Sequence, residues 1–444
     1  MKEKTKRRFR WWFIPLGLVA LVVVLVLALL LWMHTMLPGY SMIAMTSNFK
    51  LELSEGQRAK ALSGARDYST LPDPLVCADG TAVTQASEFP ARRAEILQLF
   101  AENVYGPMPR DGFATAFEVV EQGDALNGAA TRRQVKITVT TDKGASEALL
   151  LLYLPKDAGG PVPVVLGLNF GGNHTVLADP DARASYAYED QGKLEDERGG
   201  KAARWAVADA IKRGYGIATI YCNDFAPDDA KAYGSRVVSL FDEPEFKAVG
   251  AWAFGLMRGV DYLTQDVDAG RIALIGHSRL GKAALWAAAN DERVALVFSN
   301  DSGNTGASLS RGNHGETVKS INAMFPHWFS SAYKAYGGKE NTLPVDQNLL
   351  LAAIAPRQVY VACAEDDLWA DPQGAWNSLM ASRSAFALHG LAVIDPALPA
   401  GATQPPADTC YATEAMGYHV RAGWHDVQAE DWACYFDYMD NFLK

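Results

Sequence analysis

RIALIGHSRLGKAALWAA, residues 271–288, runs from a short apolar strand through a glycine to a serine and then into an alanine-rich segment that suits a helix. A serine at such a turn is either a helix N-cap or the nucleophile of an elbow that lifts its hydroxyl clear of a sheet. The strict elbow pattern G-x-S-x-G asks for glycine at position 280, where this chain carries Leu280; the second glycine is delayed to Gly281. By itself the stretch leaves both readings of Ser278 open.

The segments around it decide the architecture. VPVVLGLNF (162–170), GIATIYC (216–222), VALVFSN (294–300) and QVYVACA (358–364) are near-continuous apolar runs, and helical stretches such as ARWAVADAIKRG (203–214) and AVGAWAFGLMRGVDYLTQ (248–265) fall between them. Strands apolar on both faces, alternating with helices, predict an α/β domain with a mostly parallel sheet covered on both sides. RQVKITVTT (133–141) and EALLLLYLP (147–155) read as an added antiparallel pair, and PARRAEILQLFAENVYG (90–106) as a helix ended by Pro107 and Pro109. Active sites of such sheets gather at the carboxyl ends of the strands, where Ser278 falls.

A chain of 444 residues, 49% hydrophobic, fits one large domain, and its formal charge of −10 argues against a nucleic-acid surface. The dense basic run, Lys2 to Arg10, precedes an uncharged apolar segment, WWFIPLGLVALVVVLVLALLLWM (11–33), long enough to cross a hydrocarbon core of roughly 30 Å. These features predict a basic cytoplasmic tail (1–10), an uncleaved single-pass membrane anchor (11–33), a stalk (34–69) and an extracytoplasmic catalytic domain (70–444). Five cysteines without a CxxC exclude a zinc ribbon or thioredoxin motif. Cys410 and Cys434, the nearest pair, are the candidate disulfide of an oxidising location.

A nucleophilic serine needs a base and an acid. His425, in the late loop stretch GYHVRAGWHDV (417–427) before a closing helix, fits the chain order serine, acid, histidine, with His419 as its competitor. His34 flanks the anchor, and His277, His327 and His389 read as packed or surface residues. Candidate acids follow two strands: Asp301 in VFSNDSG, and Glu365, Asp366, Asp367 and Asp371 in VACAEDDLWADP. No HExxH is present and His174 has no evident ligand partner, so neither a metal nor another cofactor is expected.

Several blocks in order, among them RRAEILQLFAENVYGPMP, NFGGNHT, GHSRLGKAALWAAANDERVALVFSNDSG, GETVKSIN, FPHWF, LPVDQNLLLAAIAPRQVYVACAEDDLWADP and GYHVRAGWHD, make the chain from about residue 70 onward resemble the bacterial glucuronoyl esterases, carbohydrate esterase family 15. The family's elbow is G-x-S-R-x-G-K, which accounts for Gly281. The resemblance implies an α/β-hydrolase fold with Ser278 as nucleophile, His425 as base and Arg279 supporting the oxyanion; Lys282, Glu316 and Trp369 would hold the uronate ring. Relatives place the acid as a glutamate at the first site, as an aspartate at the second, or at both. Here the shorter Asp301 occupies the first site, which favours Asp367 and leaves Asp301 as the alternative. GNTGASLSR (303–311) departs from the relatives' GCGGAALSR and bears on the pocket wall.

The reaction implied is serine-dependent hydrolysis of a (4-O-methyl-)glucuronate ester on a plant-type polysaccharide, as in lignin–glucuronoxylan links. An acetyl or other carbohydrate esterase is the alternative, and a non-catalytic membrane-tethered carbohydrate-binding protein is a third reading. The third would be free to lose Ser278, Arg279 or His425, and all are present.

Overall fold

The structure is a computed structural model that describes residues 66–190, 197–266, 269–399 and 402–443, together with 18–19, 21–29, 54, 56 and 63. Its centre is a 10-stranded sheet in the order β1-β2-β3-β5-β4-β6-β7-β8-β10-β9. The strands are β1 (Ala114–Ala125), β2 (Ala130–Thr141), β3 (Gly144–Pro155), β4 (Val162–Asn169), β5 (Gly216–Tyr221), β6 (Ala269–His277), β7 (Val294–Asn300), β8 (Gln358–Ala364), β9 (Thr409–Ala412) and β10 (Met416–Arg421). From β5 through β10 the neighbours are parallel, while β1, β2 and β3 extend one edge antiparallel and β9 closes the other.

The apolar runs form central strands because both of their faces are covered. Along β4 and β6, Val164 and Leu274 pack into one apolar cluster, while Val165, Ala273 and Ile275 pack into another on the opposite face. Helices α1 (Phe89–Phe100), α2 (Ala248–Leu263), α3 (Arg279–Asn290) and α4 (Pro372–Leu388) cover the first face; α5 (Ala429–Phe442) and the segment 202–212 cover the second. Trp286 of α3 is about fully buried and stacks on Tyr105 with ring centroids 4.6 Å apart, which locks α3 onto the chain that follows α1. This packing fixes the start of α3 over the end of β6.

Two features differ from the sequence expectation. The late stretch read as a loop is half strand, since Gly417–Arg421 lie in β10, fully buried and paired with β8 and β9. The end of the segment read as stalk is docked on the domain: Arg66 donates to both carboxylate oxygens of Asp371 at 2.7 Å each, and Asn377 donates to the Tyr68 hydroxyl at 3.1 Å. Cys410 and Cys434 are bonded to each other and join β9 to α5. Among the described residues no helix is long and apolar enough to cross a membrane. Of 11–33, residues 18–19 and 21–29 are described, as exposed helix; the rest of the proposed anchor, the tail 1–10 and most of the stalk lie outside the described residues.

Candidate active site

β6 carries Gly276 and His277 to its carboxyl end, and Ser278 then takes φ 57°, ψ −131°, a backbone state that costs most side chains about 1–3 kcal/mol. Ser278 occupies the N-cap position of α3, yet its hydroxyl makes no capping hydrogen bond. The capping role is therefore not what holds a serine here. The glycine spacing has a packing cause. A Cβ on Gly276 would lie 2.1 Å from the Leu280 carbonyl oxygen, and one on Gly281 would lie 2.8 Å from the Ser302 Cβ and 2.9 Å from the Gly276 oxygen. Position 280 instead turns into the core, with Leu280 1% exposed. Gly276→Ala is expected to destabilise the protein by about 3 kcal/mol and to remove activity, because the first turn of α3 must move to admit the methyl; a denaturant midpoint beside a turnover assay checks both.

Of the residues named from the sequence, Ser278, Arg279, Lys282, Asp301, Glu316, Asp367, Trp369 and His425 line one cleft of about 210 Å3 at the carboxyl end of the sheet, whereas Glu365, Asp366 and Asp371 do not. The loops after β6, β7, β8 and β10 supply most of them, as the switch from strand to helix in a parallel sheet allows.

Asp367 Oδ2 accepts a 2.6 Å hydrogen bond from His425 Nδ1, which leaves Nε2 as the other ring nitrogen. Burial works against a charge on His425, but the Asp367 carboxylate, with a smaller contribution from Asp301, raises the imidazole above its ordinary range. Asp301 stands close behind: ligand atoms of Asp301, Asp367 and His425 all lie within 4.8 Å of one another. Its Oδ1 accepts from the Ala364 N–H at 2.7 Å, while Oδ2 has no hydrogen-bond partner and sits 3.6 Å from Arg421 Nη2. Burial, reinforced by the negative charge of Asp367, pushes the Asp301 carboxyl up to about 8. A carboxyl whose ionisation is opposed in this way is a poorer stabiliser of an imidazolium than Asp367.

The cations of the cleft are all partnered. Lys282 is 3% exposed and donates to the carbonyls of Ser302, at 2.8 Å, and Asn304, and to Glu316 Oε2 at 3.1 Å. Burial lowers the Lys282 ammonium from its usual value, against the pull of Glu316. The Glu316 N–H donates to the Trp369 carbonyl at 2.9 Å, tying the acid to the aromatic side of the cleft. Thr305, where the relatives' pattern has glycine, takes φ 60° and is held through its carbonyl by the Tyr105 hydroxyl at 2.5 Å. The wall keeps the glycine-like backbone despite the changed residue.

Some functional neighbours carry no sequence signal. Asp228, in the loop after β5, accepts from Arg279 Nη1, from Trp328 Nε1 at 2.7 Å and from His327 Nε2 at 3.0 Å. Phe170 and Trp328 each place a ring 5.3 Å from the Arg279 guanidinium carbon, so its direction is set from three sides. His277, read as bland, packs 4.4 Å from the His425 ring and bonds Asn300 Oδ1 through Nδ1 at 2.7 Å. Burial and its neighbour His425 hold His277 well below the ordinary imidazole range, so it is a neutral wall. His419 is not in the cleft: it is 2% exposed on β10, bonded to Tyr360 through Nδ1 at 3.0 Å and to Asp431 through Nε2 at 2.8 Å.

Comparisons with known proteins agree with this architecture. The family described as "Glucuronyl esterase, fungi" matches residues 207–390. A carbohydrate esterase, MZ0003, from an unknown prokaryotic organism is 40% identical over 393 residues, covering 84% of this chain and 90% of its own. The 4-O-methyl-glucuronoyl methylesterase 1 of Phanerochaete chrysosporium is 26% identical over 348 residues, or 73% of this chain and 63% of that protein. Among solved structures, a glucuronoyl esterase from Solibacter usitatus superposes with a TM-score of 0.78 at 39% identity, covering 85% of this chain and 99% of the other. A promiscuous CE15 esterase from a marine bacterial metagenome superposes with a TM-score of 0.74, again at 39% identity and with coverages of 85% and 99%. With its parallel sheet, its serine elbow and this extent of identity, the chain belongs to the glucuronoyl esterases of carbohydrate esterase family 15, carboxylic ester hydrolases of the α/β-hydrolase fold.

Proposed function

We propose that the cleft hydrolyses esters whose acyl part is glucuronate or 4-O-methylglucuronate, with Ser278, His425 and Asp367 as the triad. The observation that carries this is the 2.6 Å His425–Asp367 bond beside a strained, uncapped Ser278, in a cleft that also holds a buried Lys282–Glu316 pair. Asp367 fixes the Nδ1 proton, so Nε2 takes the proton of the Ser278 hydroxyl as its oxygen attacks the uronate carbonyl. Negative charge then develops on that carbonyl oxygen. Arg279, pre-aimed by Asp228 and two rings, and the N–H groups opening α3 stabilise it without reorganising. The imidazolium protonates the departing alcohol, leaving an acyl-enzyme that water opens by the same steps in reverse roles. The released uronate is an anion in a cleft where Arg279 and Lys282 already have carboxylate partners, which favours its departure.

Lys282, Glu316 and Trp369 suit a sugar ring, offering fixed donors and acceptors beside an aromatic surface. Glu316→Gln is expected to raise KM for a benzyl glucuronate about tenfold, the loss of one charge-assisted hydrogen bond, with little change on an acetyl ester. Equal effects on both esters would remove the uronate-binding role. A second reading, a broader esterase that also accepts acetyl groups, is favoured by the likeness to the marine esterase described as promiscuous.

We also propose that residues 11–33 anchor the protein, with the catalytic domain extracytoplasmic. Two observations support this: large side chains from Leu18 to Leu29 are 48% to 63% exposed, and the Cys410–Cys434 disulfide suits an oxidising compartment. Recovery of the full chain in washed membranes is the expected outcome, and a soluble mature form in the medium would contradict it.

A further inference from the structure

We propose that Arg421 is a positioning residue for the base, building from within the loop that presents His425. The proposal rests on the reading of His425 as that base. Arg421 ends β10, is 2% exposed and does not line the cleft. Its guanidinium nonetheless bonds the chain on both sides of His425. Nη1 donates to the Ala422 carbonyl at 2.9 Å, and Nη2 donates to the carbonyls of Trp424 at 2.6 Å and Asp426 at 2.5 Å. The residues immediately before and after His425 are thus held by one nitrogen.

The other edge of the guanidinium is fixed in turn. Nε donates to Asp431 Oδ2 at 2.8 Å, and the same oxygen accepts the Gln428 N–H at 2.8 Å, where the loop passes into α5. Asp431 Oδ1 accepts from His419 Nε2 at 2.8 Å and from Asn300 Nδ2 at 3.1 Å, joining β10 and the end of β7 to the same carboxylate. The disulfide between Cys410 of β9 and Cys434 of α5 closes the same frame from outside. Loop carbonyls ordinarily turn to water; here three turn inward onto one cation. A planar fork with five donors can meet acceptors that diverge in this way, whereas a lysine ammonium offers three donors from a single point. Remove the fork and these carbonyls lose their shared donor, so the loop must reopen and His425 with it. A displacement of about 1 Å at a catalytic group costs on the order of 10²-fold in rate.

The test is Arg421→Lys and Arg421→Gln in the full chain, with folding followed by circular dichroism. Two rates are read: hydrolysis of a benzyl glucuronate, and phosphonylation of Ser278 by a fluorophosphonate, which any base-activated serine undergoes whatever ester it cleaves. The expected result is folded variants with kcat and phosphonylation both lowered about 10²-fold and KM within about twofold of the parent, the split that a misplaced base produces. A folded variant with both rates within threefold of the parent would overturn the proposal. So would unfolding of both variants, which would make the guanidinium a requirement of the fold and not of the base. A parent that is phosphonylated yet leaves the glucuronate ester intact would sink the substrate reading alone, and the Arg421 test would continue on the probe.

Discussion

Ser278→Ala is expected to lower turnover of a glucuronate ester on the order of 10⁶-fold while leaving the fold intact, because the acyl-enzyme route needs that oxygen, and the other serine lining the cleft, Ser302, has its hydroxyl engaged by Ser299 and the Ala307 N–H. The hydroxyl makes no capping bond to α3, so its removal costs the helix no hydrogen bond, and the unfolding transition should stay where it is. A large loss of activity together with a large loss of stability would instead make Ser278 a structural residue of the turn. Alkaline hydroxylamine trapping of a uronate acyl-enzyme in the parent, absent in the variant, checks the same step chemically.

Asp367→Asn is expected to cost turnover on the order of 10⁴-fold, since an amide facing Nδ1 supports the wrong imidazole tautomer and no longer compensates the imidazolium. Asp301→Asn should cost less than about tenfold at neutral pH. Burial and the charge of Asp367 push the Asp301 carboxyl upward and oppose its ionisation, and an amide of the same shape can still accept from the Ala364 N–H. The pH profiles separate the two aspartates further. His425 must be neutral to act, and Asp367 raises its pKa, so kcat/KM of the parent should fall with acid from a midpoint above the free imidazole value of about 6.5. In Asp367→Asn the larger raising charge is gone while burial and the smaller pull of Asp301 remain, so the midpoint should move to lower pH. If Asp301→Asn proves the damaging change, the assignment of the acid reverses.

The central strands were readable because each is covered on both faces and so leaves an unbroken apolar run; β4 to β8 all fall within two residues of the runs. β1 was not readable: it is an edge strand, only its last residue is buried, and no apolar face marks it. β10 hid for the opposite reason. It is wholly buried, yet includes His419 and Arg421, whose partner Asp431 lies ten and more residues further on and gives no local signal.

The same distinction runs through the site. Ser278 and His425 fit the strand ends and the chain order, whereas the preference for Asp367 over Asp301 rests on the family resemblance alone; the delayed Gly281 follows from a contact with Ser302. Asp228 could not be found this way, because it meets Arg279, His327 and Trp328 across 51 to 100 residues of chain and sits in a loop whose charges look merely solvated. Nothing in the sequence around Arg66, within the 34–69 stretch, signals that Asp371, 305 residues further on, pairs with its charge.

The most direct test offers the full chain a benzyl glucuronate and an acetylated xylan side by side, with Ser278→Ala as control. Release of benzyl alcohol with kcat/KM at least about 10²-fold above that for acetate, and none from the control, is the expected result. Acetate release with the glucuronate ester left intact would contradict it.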